Sequence, residues 1–330
     1  MAAKKRILSG MRPTGRLHLG HLVGALSNWV KLQESYHCFY MIADWHALMS
    51  EYENTEGIRE NSYEMVKDFV AAGLDPDKSV IFIQSHVPEH LELYMVFSDL
   101  TPLGWVERCP TYKEQLREIK GRDLTTYGFL GDPVLQAADI ALYKADAVPV
   151  GIDQVPHLEL TREIVRRFNL LYGKNVFPEP EGLLTKTPKL LGLDNRKMSK
   201  SYDNFISLSL GSAEIRAKVA GMITDASRIK LNDPGHPDVC NVFSYYSIFA
   251  DQDSLAGVRK NCESASQGCT GCKKSLAAIL IGRLEPMNLK RARISDDDVK
   301  DILKTGAGKA RQAAAETMAE VRSLIHFAQE

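Results

Sequence analysis

The sequence predicts an α/β protein with a mostly parallel sheet, followed by an all-helical second domain. Three observations lead to this fold class. Short apolar runs typical of buried strands lie at residues 7–9, 38–44, 79–85 and 147–151. Stretches whose apolar residues recur at the spacing of a helix face separate these runs, as in strand–helix–strand units of parallel sheets. After about Ser209 the strand pattern fades and only helical patterns remain.

The individual helices follow from the spacing of apolar side chains. The first helix is predicted after the first strand, where apolar residues recur every three or four positions over residues 19–30. Further helices are predicted over residues 61–70, 156–168, 214–223 and 310–325. The change from alternating elements to helices alone places the domain boundary near residue 206, which divides the chain into 1–206 and 207–330.

The composition excludes several classes of protein. Apolar residues make up 44% and charged residues 25% of the 330, which excludes disordered and collagen-like chains. Because 41 basic residues face 42 acidic ones, the net charge is −1, and a nucleic acid partner would need a local basic patch. No stretch approaches the roughly 18 apolar residues of a membrane helix, and no secretory signal follows the basic N-terminus. We therefore expect a cytoplasmic protein with no membrane partner.

The segment from Leu8 to His21 has the character of a phosphate-binding strand–turn–helix. Pro13 favours the turn, and His18 and His21 lie three residues apart, on one face at the helix N-terminus. Gly20 between them lets a flat nucleotide approach the backbone. Unpaired N–H groups at a helix N-terminus attract phosphate. The structural alternative is a tight turn that carries two surface histidines.

A second polar segment, Arg-Lys-Met-Ser-Lys-Ser at residues 196–201, precedes the domain boundary. Its lysines Lys197 and Lys200 are three apart and flanked by hydroxyls, which suits the negative charge of a leaving pyrophosphate. Alone, such a run usually indicates a solvated loop. At opposite ends of one α/β domain, the two segments together are far more specific than either one.

Asp139 lies inside the apolar run at residues 134–142, where an unpaired carboxylate would be costly. The sequence therefore predicts a hydrogen-bond donor beside it. A structural Arg or Lys is the alternative to a bound substrate as that donor.

Four of the six cysteines cluster in the last third of the chain, as Cys240-x21-Cys262-x6-Cys269-x2-Cys272. Four thiolates complete either a tetrahedral zinc site or a [4Fe–4S] cluster, and the spacing leaves both, and no metal, open. A disulfide framework is not expected in a chain of this size without an export signal. Cys38 and Cys109 have no partner at metal-ligand spacing, so we expect them to be packing residues.

His-x-Gly-His in the first strand–helix turn and Lys-Met-Ser-Lys-Ser late in the domain resemble the class I aminoacyl-tRNA synthetases. The resemblance narrows to bacterial tryptophanyl-tRNA synthetases and covers most of residues 7–205, while the C-terminal third follows less tightly. The similar blocks lie at residues 13–33, 43–47, 136–140, 148–154 and 157–163.

The resemblance implies a Rossmann-type catalytic domain over 1–206, with a dimer-forming insertion, and a helical tRNA anticodon-binding domain over 207–330. It implies a tryptophan–tRNA ligase that uses ATP with Mg²⁺. L-tryptophan would attack the α-phosphorus of ATP and release pyrophosphate, and the tryptophanyl group would then move to tRNA(Trp). It also implies a homodimer with no DNA partner.

The resemblance also implies site residues. The catalytic residues would be His18, His21, Lys197 and Lys200. The ATP-binding residues would be Arg12, Pro13, Thr14, Gly20, His21, Gly151, Ile152, Asp153, Leu190, Lys197, Met198, Ser199, Lys200 and Ser201. The tryptophan-binding residues would be Leu8, Gly10, His46, Gln136, Asp139 and Gln154. Asp139 would accept the indole N–H, which can only donate. A subset of the family binds [4Fe–4S] at a closely similar cysteine spacing, which favours the cluster over zinc at Cys240, Cys262, Cys269 and Cys272.

The main alternative is a tyrosyl-tRNA synthetase, which resembles this strand–turn but carries a Tyr at the position of Leu8. Two positions depart from the family pattern: Asp132 stands where a Tyr is usual, and Ile152 replaces an acid. A small nucleotidylyltransferase would lack the helical domain with four cysteines. A synthetase-derived RNA-binding or regulatory protein is disfavoured because all four implied catalytic residues are present.

Overall fold

A parallel sheet of five strands organises the protein. The computed structural model describes residues 4–109, 123–184, 190–196, 198 and 202–327, with Asp153 described by its backbone alone. The strands are β1 (Arg6–Met11), β2 (His37–Ile42), β3 (Ser79–Ile83), β4 (Ala147–Val150) and β5 (Glu181–Leu184). Their order is β3-β2-β1-β4-β5, and every neighbouring pair is parallel. The predicted fold class is confirmed.

Helices connect the strands and also form most of the chain that follows the sheet. The first of them contains a π-helical segment, Leu22–Leu26, between α1 and α2. The helices are α1 (Leu19–His21), α2 (Ser27–Leu32), α3 (Asp44–Glu51), α4 (Glu56–Ala72), α5 (Glu89–Leu100), α6 (Leu103–Glu107), α7 (Tyr127–Leu142), α8 (Val155–Leu171), α9 (Ser212–Ala220), α10 (Asn241–Phe249), α11 (Gln252–Glu263), α12 (Cys269–Arg291) and α13 (Asp296–Leu324). Short 3-10 turns follow β3 and β4 and precede α10, at Gln84–His86, Ile152–Gln154 and Pro237–Val239. The helices predicted over 61–70 and 156–168 lie within α4 and α8, and the one predicted over 19–30 is divided among α1, the π-helical segment and α2. The predictions over 214–223 and 310–325 run past the ends of α9 and α13 by three residues and one residue.

The chain forms two compact units whose division differs from the predicted boundary near residue 206. The first unit contains residues 1–15, 27–186 and 295–330, and the second contains 16–26 and 187–294. The last helix, α13, therefore belongs to the sheet unit, although the sequence groups it with the helical domain. The reason is its buried stripe of small and apolar side chains, which joins the hydrophobic core of the sheet.

Both faces of the central strands are buried, which is why the sequence reads there as continuous apolar runs. All five residues of β3 are buried, and so are the last five of β2. Helix α7 packs in this core with Val134, Ile140 and neighbouring apolar residues. Cys38 and Cys109 are buried free thiols, as expected of packing residues.

None of the helices in the described part of the chain combines the length and the apolar character needed to cross a membrane.

Candidate active site

The chain leaves β1 and β4 at the same edge of the sheet, because these strands are parallel neighbours. The order β3-β2-β1-β4-β5 reverses direction between them, and ligands of open α/β sheets bind outside such a point. The turn after β1 is closed by a hydrogen bond of 2.9 Å from the Thr14 N–H to the Arg12 carbonyl. Gly151 follows β4 directly. The structure thus brings the predicted ATP residues Arg12, Pro13, Thr14, Gly151 and Ile152 to one edge.

Ile152 has an 84% exposed side chain in the short turn that follows β4. The sequence places it where the family has an acid, and an exposed apolar side chain here makes no charged contact. The side chain of Asp153 lies outside the described residues.

The histidines of the His-x-Gly-His segment cap the first helical turn reciprocally. His18 Nδ1 accepts from the Gly20 N–H at 3.2 Å, and His21 Nδ1 accepts from the His18 N–H at 3.2 Å. The ring centroids lie 3.9 Å apart. Because each Nδ1 is an acceptor, each neutral ring carries its proton on Nε2 and presents an N–H donor there. The two imidazoles lie side by side, and the reciprocal capping accounts for their three-residue spacing.

Gly20 lies where a side chain would collide with residues of both segments that the sequence predicts to bind ATP. A Cβ added there would be 2.9 Å from Cε1 of His18 and 3.2 Å from Sδ of Met198. The second predicted motif therefore approaches the first within the same compact unit. Its residues Lys197, Ser199, Lys200 and Ser201 lie outside the described residues, and Leu190 is partly buried.

A turn before the Lys-Met-Ser-Lys-Ser segment is anchored by residues that the sequence did not single out. Gly192 N–H donates to the Arg196 carbonyl at 2.7 Å, and Asn204 Nδ2 donates to Oδ1 of Asp194 at 2.7 Å. Burial raises the pKa of Asp194, but hydrogen bonds from Asn204 and Arg196 outweigh it and lower the pKa to about 2. From α10, Asn241 donates to the Gly192 carbonyl at 2.7 Å. These contacts fix the start of a segment that sequence reasoning treats as a free loop.

Asp139 on α7 is 1% exposed and lies at the centre of a buried hydrogen-bond network. Its Oδ1 accepts from Nδ1 of His90 at 2.6 Å and from Nε2 of Gln84 at 2.8 Å. Its Oδ2 accepts from Nε2 of His46 at 2.7 Å. The expected donor beside Asp139 is therefore present, supplied by histidine and glutamine and not by a structural Arg or Lys.

His46 joins Asp139 to Asp132. Its Nδ1 donates to Oδ1 of Asp132 at 2.6 Å, so both ring nitrogens face carboxylates. Burial lowers the pKa of His46, but the two aspartates outweigh it and raise the pKa to about 10. Burial also raises the pKa of each carboxyl group, and the neighbouring histidines reverse this, so both pKa values lie below the ordinary range. The network holds a positive imidazolium between two carboxylates.

The other residues that the resemblance implies for tryptophan binding differ in exposure. Leu8 is buried in the core of the sheet, and Gly10 is exposed near the end of the same strand. Gln136 is half-buried one helical turn before Asp139, and Gln154 is half-buried after β4. A Cβ on Gly10 would lie 3.0 Å from the Met41 carbonyl oxygen, which accounts for the glycine there.

The four clustered cysteines line one small cavity of about 20 Å³ in the second unit. Arg228 lies beside it, with Nη1 3.9 Å from Sγ of Cys269. Among the described residues, no group of three or more His, Cys, Asp or Glu side chains is arranged to hold a metal ion. The sequence cluster is therefore also a spatial cluster, but the thiols do not close on a common point.

The clustered thiols disfavour ionisation of one another. Burial raises the pKa of Cys272 to about 11, and the charges of the three other cysteines add to this rise. A hydrogen bond with Tyr246 lowers the pKa but does not offset the increase. Burial and the charge of Cys240 also raise the pKa of Cys262. A cation placed among them would reverse this effect, because metal binding displaces the thiol protons.

Comparison with known proteins places this geometry in a family. The family model for "tRNA synthetases class I (W and Y)" matches residues 2–285. A curated tryptophan–tRNA ligase from Thermotoga maritima is 51% identical over 326 residues, which cover 98% of this chain and 99% of the relative. A tryptophan–tRNA ligase from Aquifex aeolicus is 42% identical, and the match covers 98% of this chain and 100% of the relative.

Solved structures agree. The tryptophanyl-tRNA synthetase of Campylobacter jejuni, solved in complex with ADP and tryptophan, superposes with a TM-score of 0.88 at 33% identity. The match covers 98% of this chain and 100% of the other. The chain therefore belongs to the class I tRNA synthetases, in the family of the tryptophanyl and tyrosyl enzymes and among its bacterial tryptophanyl members.

Proposed function

We propose that this protein is a tryptophan–tRNA ligase, which activates L-tryptophan with ATP and transfers it to tRNA(Trp). The observation that carries the proposal is the match to curated tryptophan–tRNA ligases along nearly the whole of both chains. We propose the following roles for the site residues on the basis of this match and of the contacts described above.

In the first step, a carboxylate oxygen of tryptophan attacks the α-phosphorus of ATP, and the bond to the β-phosphate oxygen breaks. Pyrophosphate leaves, and tryptophanyl-adenylate forms. His18 and His21 present Nε2–H donors for the phosphate oxygens, since their Nδ1 atoms are engaged in the caps. Lys197 and Lys200 would neutralise the leaving pyrophosphate, and Mg²⁺ arrives with the ATP. Catalysis is then mostly positioning and charge stabilisation.

In the second step, a hydroxyl of the terminal ribose of tRNA attacks the carbonyl carbon of the adenylate, and AMP leaves. The protein needs no covalent intermediate of its own for either step. Its contribution is to hold the adenylate and the tRNA end in reactive geometry.

Selection of the amino acid rests on Asp139 and Leu8. Asp139 keeps an acceptor position for an indole N–H, because its two oxygens offer about four such positions and three are filled. Leu8 is an apolar side chain at the position where tyrosyl enzymes carry a Tyr for the substrate phenol. His46 and Gln154 would lie at the amino-acid site, although Asp132 already pairs with His46 and is not a free partner for the substrate ammonium.

Amino-acid-dependent ATP–pyrophosphate exchange tests the proposal. We expect exchange with tryptophan and none with tyrosine, followed by charging of tRNA(Trp). Exchange with tyrosine alone would make the protein a tyrosyl enzyme, and no exchange with any amino acid would favour a non-acylating RNA-binding protein.

We also propose that Cys240, Cys262, Cys269 and Cys272 hold a metal centre, with [4Fe–4S] as its occupant and zinc as the alternative. The support is that all four thiols line one cavity and are of the kind and number that either centre requires. A cluster is larger than the cavity of about 20 Å³, so its binding requires the four side chains to move apart. The bound centre would cross-link the loop before α10 to α11 and α12.

Metal analysis of protein purified without oxygen distinguishes the occupants. We expect about four iron and four acid-labile sulfide per chain for the cluster. Stoichiometric zinc without sulfide would instead identify a zinc site. Finding neither iron nor zinc would overturn the proposal.

We further propose a cytoplasmic homodimer whose helical region after residue 206 binds the tRNA anticodon. Basic side chains that follow the cysteines in the sequence would contribute a local positive surface: Lys273, Lys274, Lys290, Arg291 and Arg293. Light scattering on the purified protein should give twice the chain mass of 36.8 kDa. A mass of one chain at assay concentrations would contradict the dimer.

A further inference from the structure

The carboxylate of Asp139 is held by groups from three separate parts of the sheet unit. His46 comes from α3, His90 from α5, and Gln84 from the turn after β3. Both donors on Oδ1 are fully buried. The carboxylate cannot turn about its own axis without breaking at least one of these bonds, so its orientation is fixed by the fold.

His90 is itself fixed by Tyr143, which caps the C-terminus of α7. The Nε2 atom of His90 and the hydroxyl of Tyr143 lie 2.8 Å apart. Burial, and then the charge of Asp139, raise the pKa of Tyr143 well above its ordinary value, so the hydroxyl keeps its proton. With that O–H donating to Nε2, His90 carries its proton on Nδ1, where it faces Asp139.

Aromatic packing holds Tyr143 in place. Its ring stacks on Phe39 of β2 at a centroid distance of 4.5 Å and meets Phe82 of β3 edge-on at 5.6 Å. The chain of contacts therefore runs from the strands through Tyr143 and His90 to the carboxylate.

We propose that His90, with Tyr143 behind it, is a positioning residue for amino-acid selection. It holds Oδ1 of Asp139 so that the unfilled acceptor position on Oδ2 is left for one N–H of the substrate. The inference rests on the proposed function, in which Asp139 accepts the indole N–H. An amino acid of the same shape without that N–H leaves the buried carboxylate with an unfilled position, and is rejected for this reason.

The test compares tryptophan with its isostere in which sulfur replaces the indole nitrogen (a benzothiophenyl-alanine). KM and kcat for each are measured in ATP–pyrophosphate exchange. For His90→Leu we expect KM for tryptophan to rise about tenfold with little change in kcat, the loss expected for one weakened hydrogen bond to a charged group. KM for the isostere should stay within about twofold, since it makes no such bond.

Two more variants separate positioning from stability. Tyr143→Phe keeps the packing and removes the donor to His90. The ratio of KM for the isostere to KM for tryptophan should therefore fall about threefold. His90→Asn restores an N–H near the position of Nδ1 and should recover most of the discrimination. Tyr40→Phe is the matched control, because Tyr40 is equally buried and its hydroxyl donates to the Trp29 carbonyl, away from Asp139.

The outcomes distinguish the two proposals. If the wild-type protein shows no exchange with tryptophan, the proposed function fails. If the wild type is active but the ratio of KM values is unchanged in Tyr143→Phe, or falls equally in Tyr40→Phe, His90 does not position Asp139. Should His90→Leu fail to fold, Tyr143→Phe still decides.

Discussion

A buried imidazolium between two carboxylates dominates the chemistry of the sheet unit at the scale of single residues. His46 satisfies Asp132 and Asp139 at once, and removing it leaves two buried acids without their shared cation. Breaking a buried ion pair in this way is strongly destabilising, typically by about 3–5 kcal/mol. Because the Asp132 carboxylate is already paired with His46, Asp132 does not simply replace the Tyr that the family usually has at this position as a contact for the substrate ammonium.

The raised pKa of His46 predicts a pH-dependent stability. The pKa is about 10 in the folded protein against 6.5 for an unperturbed histidine, so folding favours the protonated ring. The stabilisation from His46 is complete below pH about 6.5, declines as the pH rises, and is lost above about 10. We expect the difference in urea midpoint between wild type and His46→Gln to shrink steadily from pH 6.5 to pH 10.

His37→Gln provides the control for that series. His37 is exposed at the start of β2, and burial followed by nearby Arg6 lowers its pKa. Its substitution should give a difference that stays constant from pH 7 to pH 10. A His46→Gln difference that grows with pH would contradict the charge assignment.

The sequence predicts that Asp139 needs a donor, yet it cannot name the donors. Gln84 and His90 lie 55 and 49 residues earlier in the chain and belong to no motif. Only the pairing of β3 with its neighbours and the packing of α5 on α7 bring them to the carboxylate. The sequence signal for these donors is that two polar residues, Gln84 and His90, closely follow the apolar strand β3.

The strand–turn–helix after β1 is the element where sequence and structure agree best. Its motif specifies a turn, two histidines and a glycine, and the structure uses each of them in the cap. By contrast, β5 has only four residues and no buried run, so periodicity does not reveal it. The π-helical segment after His21 also has no local sequence signal, since it depends on how the helix continues.

Gly20→Ala should disturb the cap and not the fold. The new Cβ would approach the His18 ring to 2.9 Å and displace it from the geometry that sets its Nε2 donor. We expect the kcat of ATP–pyrophosphate exchange to fall at least about tenfold, with Tm changed by only a few degrees, because displacing His18 from its proposed catalytic position can cost this much.

Gly24→Ala is the matched substitution one turn later. A Cβ there meets nothing within 4 Å, so exchange should stay close to that of the wild type. Equal losses in both variants would show that the helix responds to any side chain and would remove the special role of Gly20.

At the scale of the whole molecule, the last helix completes the core of the sheet unit. α13 lies against β3, with its small residues next to the strand backbone. A Cβ on Gly306 would lie 1.8 Å from the Ile81 carbonyl oxygen, which is far inside van der Waals contact. The predicted boundary near residue 206 assigns this helix to the wrong unit, because the helical pattern of residues 310–325 does not show which surface the helix packs against.

Gly306→Ala should therefore destabilise the protein. Forcing the helix off the strand should cost about 2–3 kcal/mol, and the Tm should fall by about 5–10 °C in a thermal melt followed by circular dichroism. Gly308→Ala, two residues later, meets nothing within 4 Å and should be neutral or raise the stability by up to about 1 kcal/mol. Similar losses in the two variants would argue against close contact between α13 and β3.

The placement of α13 also has a consequence for the order of events during synthesis. Residues 187–294 emerge from the ribosome before the helix that the sheet requires, so the sheet unit waits with part of its apolar core uncovered while the other unit can already fold. A chain stopped after residue 294 would carry both segments predicted to bind ATP and still lack part of the sheet unit's core. The sheet unit of this tRNA synthetase can therefore close its core only after the ribosome has completed the last helix of the chain.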